Sequence, residues 1–124
     1  MYNNTLWQTH QKKWYNMIKD GRKNEEYRDI KAYWIKRMLL RNFRGFTHQL
    51  SDEVAQFYAD NPEILRLEFS KGFFVPLFNK VKFSMGYTKE TMTFSVAGLD
   101  IGKGTSAMGA SDKEQFIIHL VTED

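Results

Sequence analysis

The sequence predicts an α+β domain built around a small, strongly bent sheet. Two observations carry this expectation. Apolar residues recur at helical spacing before residue 73 and alternate with polar ones after it, a change of period from helix to half-buried strand. The strands and helices also follow one another without βαβ regularity, which argues against a parallel α/β sheet.

Taken in order, Thr5–Thr9 reads as a short first strand. Gln11–Asp20 places Trp14, Met17 and Ile18 on one helical face, and Gly21 stands where a left-handed residue ends a helix. Asn24–Arg28 then reads as a strand. Asp29 is positioned to cap a following helix with the apolar stripe Trp34, Ile35, Met38 and Leu39. Arg41–Gln49, with Gly45, reads as a connection. Ser51 caps a helix with Asp52 and Glu53 in its first turn and with Val54, Phe57 and Tyr58 expected inside. Asn61-Pro62 opens another helix in cap-then-proline fashion, running to about Phe69 and ending near Gly72. Val81, Phe83 and Met85 alternate with Lys80, Lys82 and Ser84, which is a half-buried strand. Gly86–Glu90 is a turn. In the next strand Met92, Phe94 and Val96 alternate with Thr91, Thr93 and Ser95, and Gly98 signals a bulge or bend. Gly102–Ser111 is a glycine-rich loop, and Gln115–Val121 is the last strand.

A chain of 124 residues suits one domain, residues 1–124, and a 42% hydrophobic and 15% aromatic composition suffices for a core. Without cysteine there are no disulfides or thiolate metal sites, and nothing calls for an oxidising compartment. Met1-Tyr2-Asn3-Asn4 lacks a signal-peptide layout, and no apolar run approaches the ~20 residues of a membrane span. A soluble, cytoplasmic protein with no membrane association is expected. Charge is uneven: residues 1–50 carry +7 and residues 51–124 carry −4. A basic half suits a phosphate-bearing partner, although charged outer helix faces produce the same count. Residues 51–70 hold five acids (Asp52, Glu53, Asp60, Glu63, Glu68) against Arg66 alone.

Several motifs carry no chemistry. Residues 98–105 superficially suggest a phosphate-binding loop, but the spacing is one residue short and Gly104 stands where a hydroxyl residue should follow Lys103. His10, His48 and His119 have no metal-ligand spacing, and His119 reads as a structural histidine in an apolar strand. No metal or cofactor is expected. What remains is Gly21-Arg22-Lys23-Asn24-Glu25-Glu26-Tyr27-Arg28. Alternation along a strand puts Asn24, Glu26 and Arg28 on one side, with Lys23 leaning towards it. That patch is either a polar binding site or a salt-bridged edge of little energetic weight.

Here the chain resembles a known family. Gly21, Lys23, Glu26 and Arg28 match the G-x-K-x-x-E-x-R signature of the ASCH domain, a branch of the PUA-like barrels. The resemblance extends to Lys12-Lys13-Trp14-Tyr15 and Tyr33-Trp34. It resumes at Val81-Lys82-Phe83-Ser84-Met85-Gly86-Tyr87, then at Met92, Gly98, Ile101-Gly102 and Gly104, as in small microbial and phage-type members. Residues 5–40 and 79–121 are covered, and 41–72 resemble a helical insertion. The resemblance implies a small bent β-barrel flanked by helices, with a cleft for RNA, a nucleotide or a modified nucleoside. Gly21, Lys23, Glu26 and Arg28 would border it, and Trp14, Tyr33 and Tyr87 would stack an unpaired base.

Some family members resemble amidohydrolases of acetylcytidine that use a lysine, a threonine and a glutamate. The lysine corresponds to Lys23, but Glu26 stands where the threonine would be. If the chain is an enzyme, either such a hydrolase or a ribonuclease, Lys23 and Glu26 are the catalytic candidates. A further alternative is a protein-interaction module that uses the acidic residues 51–70.

Overall fold

The computed structural model describes residues 4–86 and 88–121. In chain order the elements are β1 (Thr5–His10), α1 (Lys12–Lys19), β2 (Glu25–Asp29), α2 (Ala32–Met38), β3 (Leu39–Phe43), β4 (Phe46–Gln49), α3 (Asp52–Asp60), α4 (Pro62–Ser70), β5 (Phe74–Pro76), β6 (Lys80–Met85), β7 (Thr91–Gly102) and β8 (Gln115–Leu120). The fold is α+β, as expected. The chain divides into two units, residues 1–28 with 78–124, and residues 29–77.

The first unit is a curled five-stranded sheet in the order β1-β6-β7-β8-β2, with α1 following its first strand. The pairing of β1 with β6 is parallel, and β6–β7 and β7–β8 are antiparallel. The long strand β7 serves two neighbours: Thr91–Ser95 pairs with β6, and the stretch from Val96 to Gly102 pairs with β8. Between those stretches the register shifts at Val96/Gly98. This is the irregularity that the glycine signalled, and it lets one strand turn a corner. Val81 and Phe83 are fully buried, as their alternation predicts, and Leu6, Ile18, Phe116 and Ile118 are buried with them. At Gly21 the backbone φ is +85°, the left-handed conformation that stops α1. The Lys23 N–H then donates back to the Met17 carbonyl at 3.0 Å, which leads the chain into β2.

The second unit contains α2, α3, α4 and an antiparallel sheet in the order β4-β3-β5. Here the chain departs from the sequence reading in four respects. The helical segment expected at 41–72 belongs to a larger unit that starts at residue 29 and holds its own sheet. Arg41–Gln49 is a hairpin rather than a connection, with Phe43 opposite Phe46 across a two-residue turn. Asp29 does not cap α2: its carbonyl accepts the Lys31 N–H at 2.9 Å, and Lys31 occupies the cap position. Finally, α3 turns Ala55 and Tyr58 inward and leaves Val54 and Phe57 exposed. Small Ala55 suits a close approach, and the Tyr58 ring packs edge-on against Phe74, which selects that face. The Ser51 cap forms as expected, its hydroxyl accepting from the Val54 N–H at 3.2 Å.

Candidate functional site

The first unit brings four of the sequence-predicted residues together. Trp14 of α1, Lys23 of the connection and Glu26 and Arg28 of β2 line one hollow of about 240 Å³. Thr9, His10, Gln11 and Tyr27 complete its wall with Met108 and Gly109 from the glycine-rich loop. The strand parity read from the sequence holds, since Glu26 and Arg28 are on the same side, with Arg28 Nη1 donating to Glu26 Oε1 at 3.2 Å.

Glu26 is the organising group. It is 3% exposed, and a buried carboxylate must be paired and hydrogen-bonded. Its Oε2 accepts from His10 Nε2. Its Oε1 accepts from Arg28 and from the Tyr27 backbone N–H at 2.8 Å, and Lys23 Nζ stands 4.0 Å away. Burial acts to raise the Glu26 pKa. The hydrogen bond from His10, with the charges of His10, Arg28 and Lys23, outweighs it and holds the carboxyl below its ordinary range.

Lys23 is almost completely buried, and its ammonium donates to the Met108 carbonyl. It lies 4.6 Å from the centroid of the Tyr27 ring and 5.6 Å from that of Trp14, within reach of a cation–π attraction. Burial lowers its pKa, the Arg28 charge pushes the same way, and Glu26 and Glu25 partly restore it. A salt-bridged surface edge is therefore not what these residues form: the lysine and the carboxylate are interior groups, and Arg28 extends outward from them with a side chain 17% exposed.

The glycine-rich loop is fitted to this cluster. A Cβ at Gly104 would stand 2.2 Å from the Tyr27 ring, and one at Gly109 would stand 3.3 Å from Trp14. The Tyr27 hydroxyl accepts from the Thr105 N–H at 3.1 Å and donates to Glu25 Oε1 at 2.7 Å. On the other face of β2, Glu25 lies 3.3 Å from His119 Nδ1, and His119 Nε2 bonds Asp100 at 2.8 Å. His119 is thus a satisfied structural histidine.

The chain matches no family model, no curated protein and no solved structure.

The remaining predicted residues lie elsewhere. Gly21 borders a different hollow, of about 420 Å³, with Ile18, Lys19 and Phe94, and serves the turn. Tyr33 belongs to the second unit, where Arg37 Cζ lies 3.5 Å from its ring centroid. Tyr87 lies outside the described residues. In the acidic segment, Asp52 is paired with Lys36 at 2.6 Å and Glu68 with Arg41 at 3.2 Å. Among the described residues no helix is long and apolar enough to cross a membrane, and no three His, Asp or Glu side chains are grouped as metal ligands.

His10 and the Met108 carbonyl belong to the site without being among the residues expected from the sequence. For His10 a signal existed. It follows Leu6 and Gln8 at strand spacing, so it shares their inward side, and an inward imidazole at a strand end needs a polar partner.

Proposed function

We propose that the chain is an RNA- or nucleotide-binding module of the ASCH, PUA-like type, with the hollow at Arg28 and Trp14 as its ligand site. One observation carries this reading: Trp14, Lys23, Glu26 and Arg28, drawn from a helix, a turn and a strand, line the same hollow. A planar guanidinium reads phosphate or a base edge through paired donors, and an indole offers a stacking face. At about 240 Å³ the hollow is smaller than the ~300–1,000 Å³ of sites that enclose a drug-sized ligand. That size suits one unpaired base or one nucleotide.

Lys23 and Glu26 act from behind this surface. The carboxylate sets the position of Arg28, and the lysine ties the loop carbonyl of Met108 to the wall. The test is titration of single-stranded RNA and mononucleotides against wild type and Arg28→Ala at two salt concentrations. Binding that falls with salt and weakens about tenfold in the variant supports the reading. Equal binding by both proteins refutes it.

A second reading, a hydrolase of an acylated nucleoside or of RNA, is favoured by the His10–Glu26 contact beside Lys23. A carboxylate that holds one imidazole nitrogen leaves the other to accept a proton from water, and a neighbouring ammonium can stabilise an oxyanion. Incubation with N-acylated cytidine and with labelled RNA, resolved by chromatography, decides it. Turnover that persists in His10→Ala and Lys23→Ala removes these residues from catalysis.

A further inference from the structure

The hairpin of the second unit ends on Phe43-Arg44-Gly45-Phe46. Phe43 and Phe46 are direct cross-strand partners, and such partners project from the same face of a sheet. Both rings are given to solvent, at 65% and 78% exposure. The turn between them has φ of +51° at Arg44 and +87° at Gly45. Two successive positive angles make the tight hairpin turn in which Asn-Gly is the low-cost pair. An arginine in the first position is strained where asparagine would not be. That outlier puts a cation at the extreme tip, with its Cζ 5.4 Å from the Phe43 centroid.

The tip is also braced. The Asn42 side chain accepts from the Gly45 N–H at 3.2 Å and donates to the Gly72 carbonyl at 3.0 Å. Two positions behind the rings, and so on the same face, the cross-strand pair is Arg41 and His48. These two border a groove of about 430 Å³ with Val54 and Tyr58. No acidic residue occurs from Leu39 to Ser51. The flanking carboxylates Asp52 and Glu68 are occupied by Lys36 and Arg41.

We propose that this hairpin tip is a contact for single-stranded nucleic acid, in which Phe43 and Phe46 stack bases and Arg44 meets a phosphate. Exposed rings beside a cation are what sequence-tolerant strand binding uses. The polar run Thr47-His48-Gln49 supplies no apolar area for burial in lipid. This contact shares no residue with the hollow of the first unit and does not rest on that reading.

The experiment is anisotropy titration of a labelled oligouridine of about 12 nucleotides, a length within the usual site size, against wild type and three variants. Phe43→Ser/Phe46→Ser is expected to weaken binding at least tenfold, as loss of base stacking does, with its melting temperature little changed because both rings are exposed. Arg44→Asn is expected to raise the melting temperature by about 3 °C while it weakens binding. Arg28→Ala reports on the hollow alone, so the two sites fail separately. Wild-type affinity in the double-serine variant overturns the proposal. So does a wild-type chain that ignores oligouridine, including one that instead binds phosphatidylserine vesicles through Phe43 and Phe46.

Discussion

His10 and Glu26 are hydrogen-bonded to each other from the two opposite edge strands of one sheet. With strands ~4.8 Å apart, the first and last of five stand about 19 Å apart in a flat sheet, beyond the reach of any two side chains. The contact therefore requires the sheet to curl until β1 and β2 approach. The bulge at Val96/Gly98 supplies part of that curvature. The polar cluster that lines the hollow is also the clasp between two edges, so one set of residues serves shape and site together.

Glu26→Gln tests the clasp. Removing the charge leaves Arg28 and Lys23 without their buried counter-charge, and breaking such a pair costs about 3 kcal/mol. That corresponds to roughly 10 °C in melting temperature. The pH dependence has a definite sign. Because the folded carboxyl titrates below its ordinary value near 4.5, its contribution is complete above that pH and is lost as pH falls through the folded value. The stability gap between wild type and Glu26→Gln should close on acidification. A gap that is constant from neutral to acidic pH would show that the charge of Glu26 does not hold the cluster.

The same bond predicts non-additivity. In a cycle of His10→Ala, Glu26→Gln and the double variant, measured by denaturant unfolding, the coupling should be of order 1 kcal/mol or more, as for residues sharing one buried network. Strict additivity would mean that the two edges are held by other contacts.

The local chemistry of this fold is legible in the sequence, and its tertiary partners are not. Gly21, the Ser51 cap, the alternation of Val81 and Phe83 and the bend at Gly98 each follow from what one residue type does to its own stretch of backbone. Strand parity likewise put Glu26 and Arg28 on one side. Spacing to the other histidines does not pick out His10, because its partner is a carboxylate sixteen residues away, joined through the curl of the sheet. The Met108 carbonyl, as a backbone atom, leaves no mark in the sequence. The β3–β4 hairpin was hidden because Arg44 stands where asparagine would have announced the turn.

Gly104 and Gly98 should respond differently to alanine. At Gly104 the added carbon meets the Tyr27 ring at 2.2 Å and Ala110 at 2.8 Å, and the packed Tyr27 ring cannot yield as a flexible chain end does. Overpacking of this kind costs about 1–3 kcal/mol. It should also disturb Lys23 and Trp14 through the displaced loop. At Gly98 the nearest atom is 3.9 Å away on His119, so alanine should be tolerated within about 0.5 kcal/mol. Equal melting temperatures for the two variants would contradict the close packing of loop against Tyr27.

Lys23 predicts an alkaline effect of opposite origin to that of Glu26. Burial disfavours its ammonium, so its folded pKa lies below the ordinary 10.5. Between those two values the unfolded chain holds a proton that the folded chain has released, and stability contributed by this group rises with pH. Lys23→Met keeps the length of the side chain, removes the titration and leaves Glu26 with His10 and Arg28. The variant should lose less stability than Glu26→Gln, because two partners still face the carboxylate. Ionisation of the tyrosines remote from Lys23 affects both proteins alike, so the difference between wild type and Lys23→Met reports the lysine together with the Tyr27 ring that it packs against. That difference should move in favour of wild type as pH approaches 10.5. Chemical unfolding at several alkaline pH values measures it. A flat difference would place the Lys23 ammonium in water rather than against Tyr27 and Met108, and one that moves towards the variant would mean that the carboxylates of Glu26 and Glu25 outweigh its burial.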